Sequence, residues 1–237
     1  MRGMFQPCFA IMLADIRSAL RYPGDILSGL SFFIMITTLV PLGLGSDQGE
    51  LARIAPAIIW IAVMLASLPQ MDRLFTRHAK DGVLEQMLVS PAPMAMLMLA
   101  KILTAWVIII LPLVLAAPLL GLMFGLPFHM LAGVLGFLAM GGLCLVLIGA
   151  MAAALSLGSR QSGIFTAIIV LPLSMPVLIF GVAGISAIQT DHAMAGASTG
   201  ASTGASTGHM MLLGALTLVL LVLSPPVTAA AIRFSEE

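Results

Sequence analysis

The sequence predicts an all-α integral membrane protein with six transmembrane helices, an N-terminal amphipathic helix and one short helix between spans. Three observations carry this. The 237 residues are 60% hydrophobic and 8% charged, with a mean hydropathy of +1.14, whereas a soluble domain carries about 25% charged residues. Six apolar stretches approach the roughly 20 residues that cross about 30 Å of hydrocarbon. They cover 26–44, 54–71, 102–124, 130–157, 164–188 and 210–232. With six spans the two termini share a face, and that face takes nine of the ten basic residues: Arg2, Arg17, Arg21, Arg73, Arg77, Lys80, Lys101, Arg160 and Arg233. Only Arg53 falls on the other. By the positive-inside rule the termini, the 72–101 interval and the 158–163 loop are expected in the cytosol. The whole chain, 1–237, reads as one transmembrane domain.

The elements follow in order. Residues 5–22 do not read as a signal peptide, because Pro7, Asp15 and Arg17 break the apolar run and no small-residue cleavage site follows. Phe9, Met12, Leu13, Ile16, Ala19 and Leu20 recur at helical spacing, with Asp15, Arg17, Ser18 and Arg21 between them. This predicts an amphipathic helix lying in the interface, stopped at Pro23-Gly24. Cys8 and Cys144 have no metal spacing and read as packing residues. Trp60 and Trp106 fall near span ends and read as aromatic-belt anchors. Pro172 and Pro176 lie one helical turn apart in VLPLSMP and would leave one face of the fifth span locally open. A working kink and a merely tolerated one fit them equally. Residues 189–209, with the GASTG repeat between Gly196 and Gly208, read as a flexible outward loop. His129, His192 and His209 read as solvated loop histidines.

The long polar interval is MDRLFTRHAKDGVLEQMLVSP, from Met71 to Pro91. Within it, residues 81–89 predict a short helix opened by Asp81 or Gly82 and ended by Pro91. Leu84 and Leu88 form one i, i+4 apolar pair, Val83 and Met87 another, and Glu85 and Gln86 offer polar contacts. Such a helix suits a groove on a partner. A helix resting on lipid fits the composition as well.

Composition also narrows the chemistry. None of the six predicted spans carries Asp, Glu, Lys, Arg or His, which counts against ion-coupled transport and intramembrane hydrolysis. There is no G-x-x-x-x-G-K-[ST] phosphate loop. If this chain transports, energy must come from another polypeptide. Zero net charge leaves no nucleic-acid footprint.

DGVLEQMLVSP, between the second and third spans, resembles the coupling helix of ABC-2-type permeases. Together with LARIAPAIIWIAVMLASL (51–68), RLFTRHAKDGVLEQMLVSP (73–91), AKILTAW (100–106), VLPLSMPVLIF (170–180) and LSPPVTAAAIR (223–233) it resembles the CcmB family. These are permease subunits of the cytochrome c maturation ABC transporter. The resemblance covers nearly the whole chain; the GASTG repeat departs from it. It implies a bacterial inner-membrane subunit coupled to a cytosolic ATPase, CcmA, through Asp81, Gly82, Val83, Leu84, Glu85, Gln86 and Leu88. It further implies association with CcmC, CcmD, the haem chaperone CcmE and a second copy of the chain. ATP would sit only on the ATPase, with haem as a transient cargo. The work done would be haem export or ATP-driven release of haem-loaded CcmE. A non-transporting scaffold for haem-handling proteins is the alternative.

Overall fold

The computed structural model describes residues 2–45, 47–90, 92–157, 159, 161–195 and 204–236, and among these there is no strand. Six helical segments are long and apolar enough to cross a membrane: Gly24–Leu44, Gln48–Ala79, Met94–Met123, Phe128–Leu155, Ser162–Asp191 and Ala205–Ser235. The chain is therefore a multi-pass helical membrane protein. The predicted loop residues 158 and 160 and the helix stop at 91 lie outside the described residues, as does the middle of the repeat, 196–203.

Helix α1 (Arg2–Arg21) packs against α5 (Met94–Ala105). Its packed stripe differs from the predicted one. Cys8, Ile11, Met12, Asp15, Ile16 and Ala19 are buried or half-buried, while Phe9, Leu13 and Leu20 are exposed. Asp15, expected on the polar face, stands in the packed one because it has a charged partner there. α2 (Gly24–Leu44) buries only Gly29, Phe33 and Thr37 and presents the rest of its apolar surface outward.

Helix α3 (Gln48–Lys80) is opened by Asp47, whose Oδ1 accepts from the Gly49 and Glu50 amides at 3.0 and 3.4 Å. No glycine or proline interrupts residues 70–81, so the helix continues through the polar interval instead of ending at Met71. At 1.5 Å per residue it is about 50 Å long, well beyond a 30 Å hydrocarbon layer. Its basic C-terminal turns therefore form a rigid extension, where a loop was expected.

The third span is made of α5, a π-helical turn over Trp106–Ile110 and α6 (Leu111–Met123). A short 3₁₀ turn, Phe128–Met130, leads into α7 (Leu131–Leu155). α7 is the hub, packed on α3, on α8 (Ser162–Ala195) and on α9 (Ala205–Glu236). Glycines and alanines along it let neighbouring helices approach closely, the usual basis of helix association in lipid.

Both tryptophans depart from the belt reading. Trp60 is fully buried. It is wedged between Gly141 of α7 and Gly181 of α8, where an added Cβ would lie 2.2 and 2.3 Å from its ring. Trp106 Nε1 donates to the Ala139 carbonyl of α7 at 3.0 Å. Both serve helix packing. Nothing in their sequence neighbourhood separates an inward ring from an interfacial one.

α8 runs without interruption through Pro172 and Pro176, both of which are exposed. Ser174 between them is buried, and its hydroxyl donates to the Leu171 carbonyl at 2.9 Å. The expected outward loop is shorter than 189–209. Gln189 Nε2 donates to the Ala52 carbonyl at 3.0 Å. Asp191 Oδ2 accepts from the Ser206 hydroxyl at 2.8 Å and the Ser206 amide at 3.3 Å, which ties the end of the repeat to α8. Ala205–Gly208 is already the first turn of α9, with Gly204 in the left-handed conformation before it.

Candidate coupling site and the polar cleft beside it

Helix α4 (Val83–Leu88) sits at the end of the α3 extension. α3 closes when the Asp81 amide donates back to the Arg77 carbonyl at 3.0 Å. Gly82 then takes φ +68°, which an L side chain adopts only at a cost, and the chain turns into α4. Of the two predicted openers, Gly82 is the N-cap of α4, by backbone conformation alone, while Asp81 ends α3.

The structure divides the predicted coupling residues. Leu84 is fully buried and Met87 nearly so, both within the chain's own core. Leu84 seats α4 against the helices that flank it. Val83 is half-buried, whereas Asp81, Glu85, Gln86 and Val89 are exposed, Val89 at 86%. The side chain of Leu88 lies outside the described residues. Among the described side chains the free face of α4 is thus polar, with Val89 as one apolar point just past its end, and Leu84 is not on it. Periodicity alone could not tell which side of so short a helix faces its own protein.

Beside α4 is a polar cleft of about 190 Å³ between α1, α2, α3 and α5. Lys101 lies within α5, inside the third spanning helix and not before it as expected, and it is fully buried. Its Nζ donates to Asp15 Oδ2 of α1 at 3.0 Å. The same Nζ lies 2.8 Å from Nε2 of His78 on α3, and that Nε2 lies 3.1 Å from Asp15 Oδ1. With a hydrogen on Nε2 the ring donates to Asp15; with Nε2 bare it accepts from Lys101. A buried lysine needs such partners, since an unpaired charge there would cost several kcal/mol or lose its proton. Burial pushes the Asp15 carboxyl up, but the His78 hydrogen bond and the Lys101 charge outweigh it, so Asp15 titrates below its ordinary 3.8. Its hold on α1 is therefore complete at neutral pH and is lost only as pH falls through that lowered value.

At the mouth of the cleft, Asp25 at the start of α2 pairs with Arg73 at 2.6 Å and with Arg77. Both guanidinium groups are more than half exposed, so these bridges contribute little energy singly. They do fix the α2 start against the α3 extension. Asp72 meets α8 instead, accepting from the Thr166 hydroxyl at 3.2 Å.

His129 and His209 lie away from this cluster. His209 Nδ1 lies 2.7 Å from its own helix's Ala205 carbonyl. His129 lines a groove of about 290 Å³ with Met130, Phe137 and Met210. The side chain of His192 is outside the described residues. Among the described residues no three His, Cys, Asp or Glu side chains gather as a metal site.

Six helices long and apolar enough to span, an amphipathic N-terminal helix and a short helix held beyond one span end define a polytopic helical membrane protein. The CcmB protein family model matches residues 6–235. The chain belongs to the CcmB family. It is 36% identical over 224 residues to "Heme exporter protein B" of Paracoccus denitrificans, covering 94% of this chain and 97% of that protein. The protein of the same name from Pseudomonas aeruginosa is 36% identical over 228 residues, 96% of this chain and 97% of its own length. That from Escherichia coli K12 is 37% identical over 225 residues, 95% and 97% of the two chains.

Proposed function

We propose that this chain is the permease subunit of an ABC-type complex for c-type cytochrome biogenesis, engaged in haem delivery across the bacterial inner membrane. Family membership over nearly the whole chain supports the class, and the relatives' name, heme exporter, supports the cargo. The observation that carries the mechanism is α4. It is seated by Leu84 and Met87 and leaves Glu85, Gln86 and Val89 free at the end of a rigid extension. A separate cytosolic ATPase, CcmA, would dock on that face, and its movement would pull on α3 and α5 together. CcmC, CcmD, the chaperone CcmE and a second copy of the chain complete the assembly in this reading. Haem export and ATP-driven release of haem-loaded CcmE both fit it.

The test is retention of the ATPase on the solubilised protein. The double variant Glu85→Arg, Val89→Asp should cut co-purification by about tenfold or more, the effect of some 1.4 kcal/mol, at unchanged protein level. Full retention would place the dock elsewhere. The proposed topology has its own check. Reporter fusions at Pro127 should read as periplasmic and fusions at Lys80 and Glu237 as cytosolic; a cytosolic signal at Pro127 would overturn it.

A further inference from the structure

Three charged or polar groups from three elements meet in one partly buried cluster. Asp15 comes from α1, His78 from the end of α3 and Lys101 from the second half of α5. His78 precedes α4 by five residues in the sequence, and Lys101 follows it in the next helix. The cluster therefore closes the two flanks of α4 onto each other and adds α1 as a third strut. α4 itself has only six residues and no side-chain cap, so it cannot impose its orientation on two long helices unaided. The neighbouring ties of Asp25 with Arg73 and Arg77 are exposed on the arginine side, and exposed pairs yield readily. The cluster yields less readily, because Lys101 at its centre is fully buried and separating it from the part-exposed Asp15 and His78 leaves the lysine without partners.

We propose that Asp15, His78 and Lys101 are positioning residues that make α1, the end of α3, α4 and α5 move as one body, so that a push on α4 reaches the spans. This rests on the functional reading above, since it takes α4 as the point where force enters. In this scheme α1 is part of the transmission and not a passive interfacial anchor. Asp15 acts on α4 only through Lys101 and His78, so removing its charge uncouples without undocking. The face of α4 that meets the ATPase, Glu85, Gln86 and Val89, does not touch the cluster.

The experiment compares Asp15→Asn with Asp15→Glu and with Asp25→Asn, each as the full chain co-expressed with its ATPase and assayed for retained ATPase and for c-type cytochrome maturation. Asp15→Asn should keep the ATPase and lose maturation by about tenfold or more, as expected for a partly buried hydrogen bond to a charge. Asp15→Glu, which keeps the carboxylate, should recover most of it. Asp25→Asn, which breaks only the exposed pairs, should leave both readouts near the wild-type level. Full maturation in Asp15→Asn overturns the proposal, and so does loss of the ATPase from it, which would make the cluster part of the dock or of the fold. Failure of Asp15→Glu to recover maturation overturns it as well. An ATPase absent from the wild-type protein would overturn the functional reading, and this proposal with it.

Discussion

Replacing Leu84 by aspartate will detach α4 from the protein, and the loss of ATPase binding that follows will come with a loss of stability. Leu84 is fully buried. It lies outside the six candidate spans, and an apolar side chain shielded from water draws on the ordinary hydrophobic effect that lipid-facing contacts lack. Truncating such a leucine costs about 2–5 kcal/mol. A carboxylate in its place is worse, because it enters an apolar site with no partner. Leu84→Ala should therefore lower the thermal midpoint of the detergent-solubilised protein, and Leu84→Asp should lower it further and abolish ATPase co-purification. Val89→Asp, at an exposed position, should reduce co-purification with the midpoint unmoved. The contrast separates seating from docking. An unchanged midpoint in Leu84→Ala would mean that Leu84 faces outward, as its periodicity suggests.

Substituting valine at Gly181 or Gly141 should be equally damaging. The Trp60 ring fills the space between α7 and α8, and a Cβ at either glycine would come within 2.3 Å of a ring atom. Real side chains do not approach so closely, so a helix or the ring must move. The ring is blocked on both sides, which leaves the helices. Overpacking of this kind costs about 1–3 kcal/mol, and more where both walls are backbone. We expect each valine variant to be poorly retained in membranes and to aggregate on solubilisation. Gly43→Ala is the control, since nothing lies within 4 Å of a Cβ added there. Combining Gly181→Val with Trp60→Ala should restore much of the loss, because it empties the slot. A Gly181→Val protein that is abundant and monodisperse by size-exclusion chromatography would refute the wedge.

These cases show what a sequence reading reaches and where it stops. Hydropathy found six spans because crossing a bilayer demands length and apolarity in one continuous run, a local property. It misjudged their ends for a local reason too. Residues 72–80 look like loop by charge, yet nothing in them breaks a helix, and backbone hydrogen bonding continues regardless of side-chain polarity. Lys101 was placed outside the third span on charge alone, and its burial depends on Asp15, 86 residues away. The packed face of α1 was misjudged by the same link, since Asp15 is on the polar side until its partner is known. Trp60 depends on glycines 81 and 121 positions distant. The resemblance identified α4 as the element of interest. It could not say which side of that helix the protein keeps for itself.

The π turn at Trp106–Ile110 changes how the third span is phased. Each α-helical residue advances the side chains by about 100°, and a π turn takes up one residue more than an α turn would. The stretch before it, which carries Lys101 to the cleft, and the stretch after it, which has Pro112 as its second residue and packs toward α2 and α7, are thus set at different rotational angles. Pro112 has no amide hydrogen to return to the preceding turn, and the wider turn is where that mismatch is absorbed. One continuous rod thereby presents its polar address to the N-terminal helix and its apolar seam to the bundle, two directions that an unbroken α-helix of this sequence would not point at once.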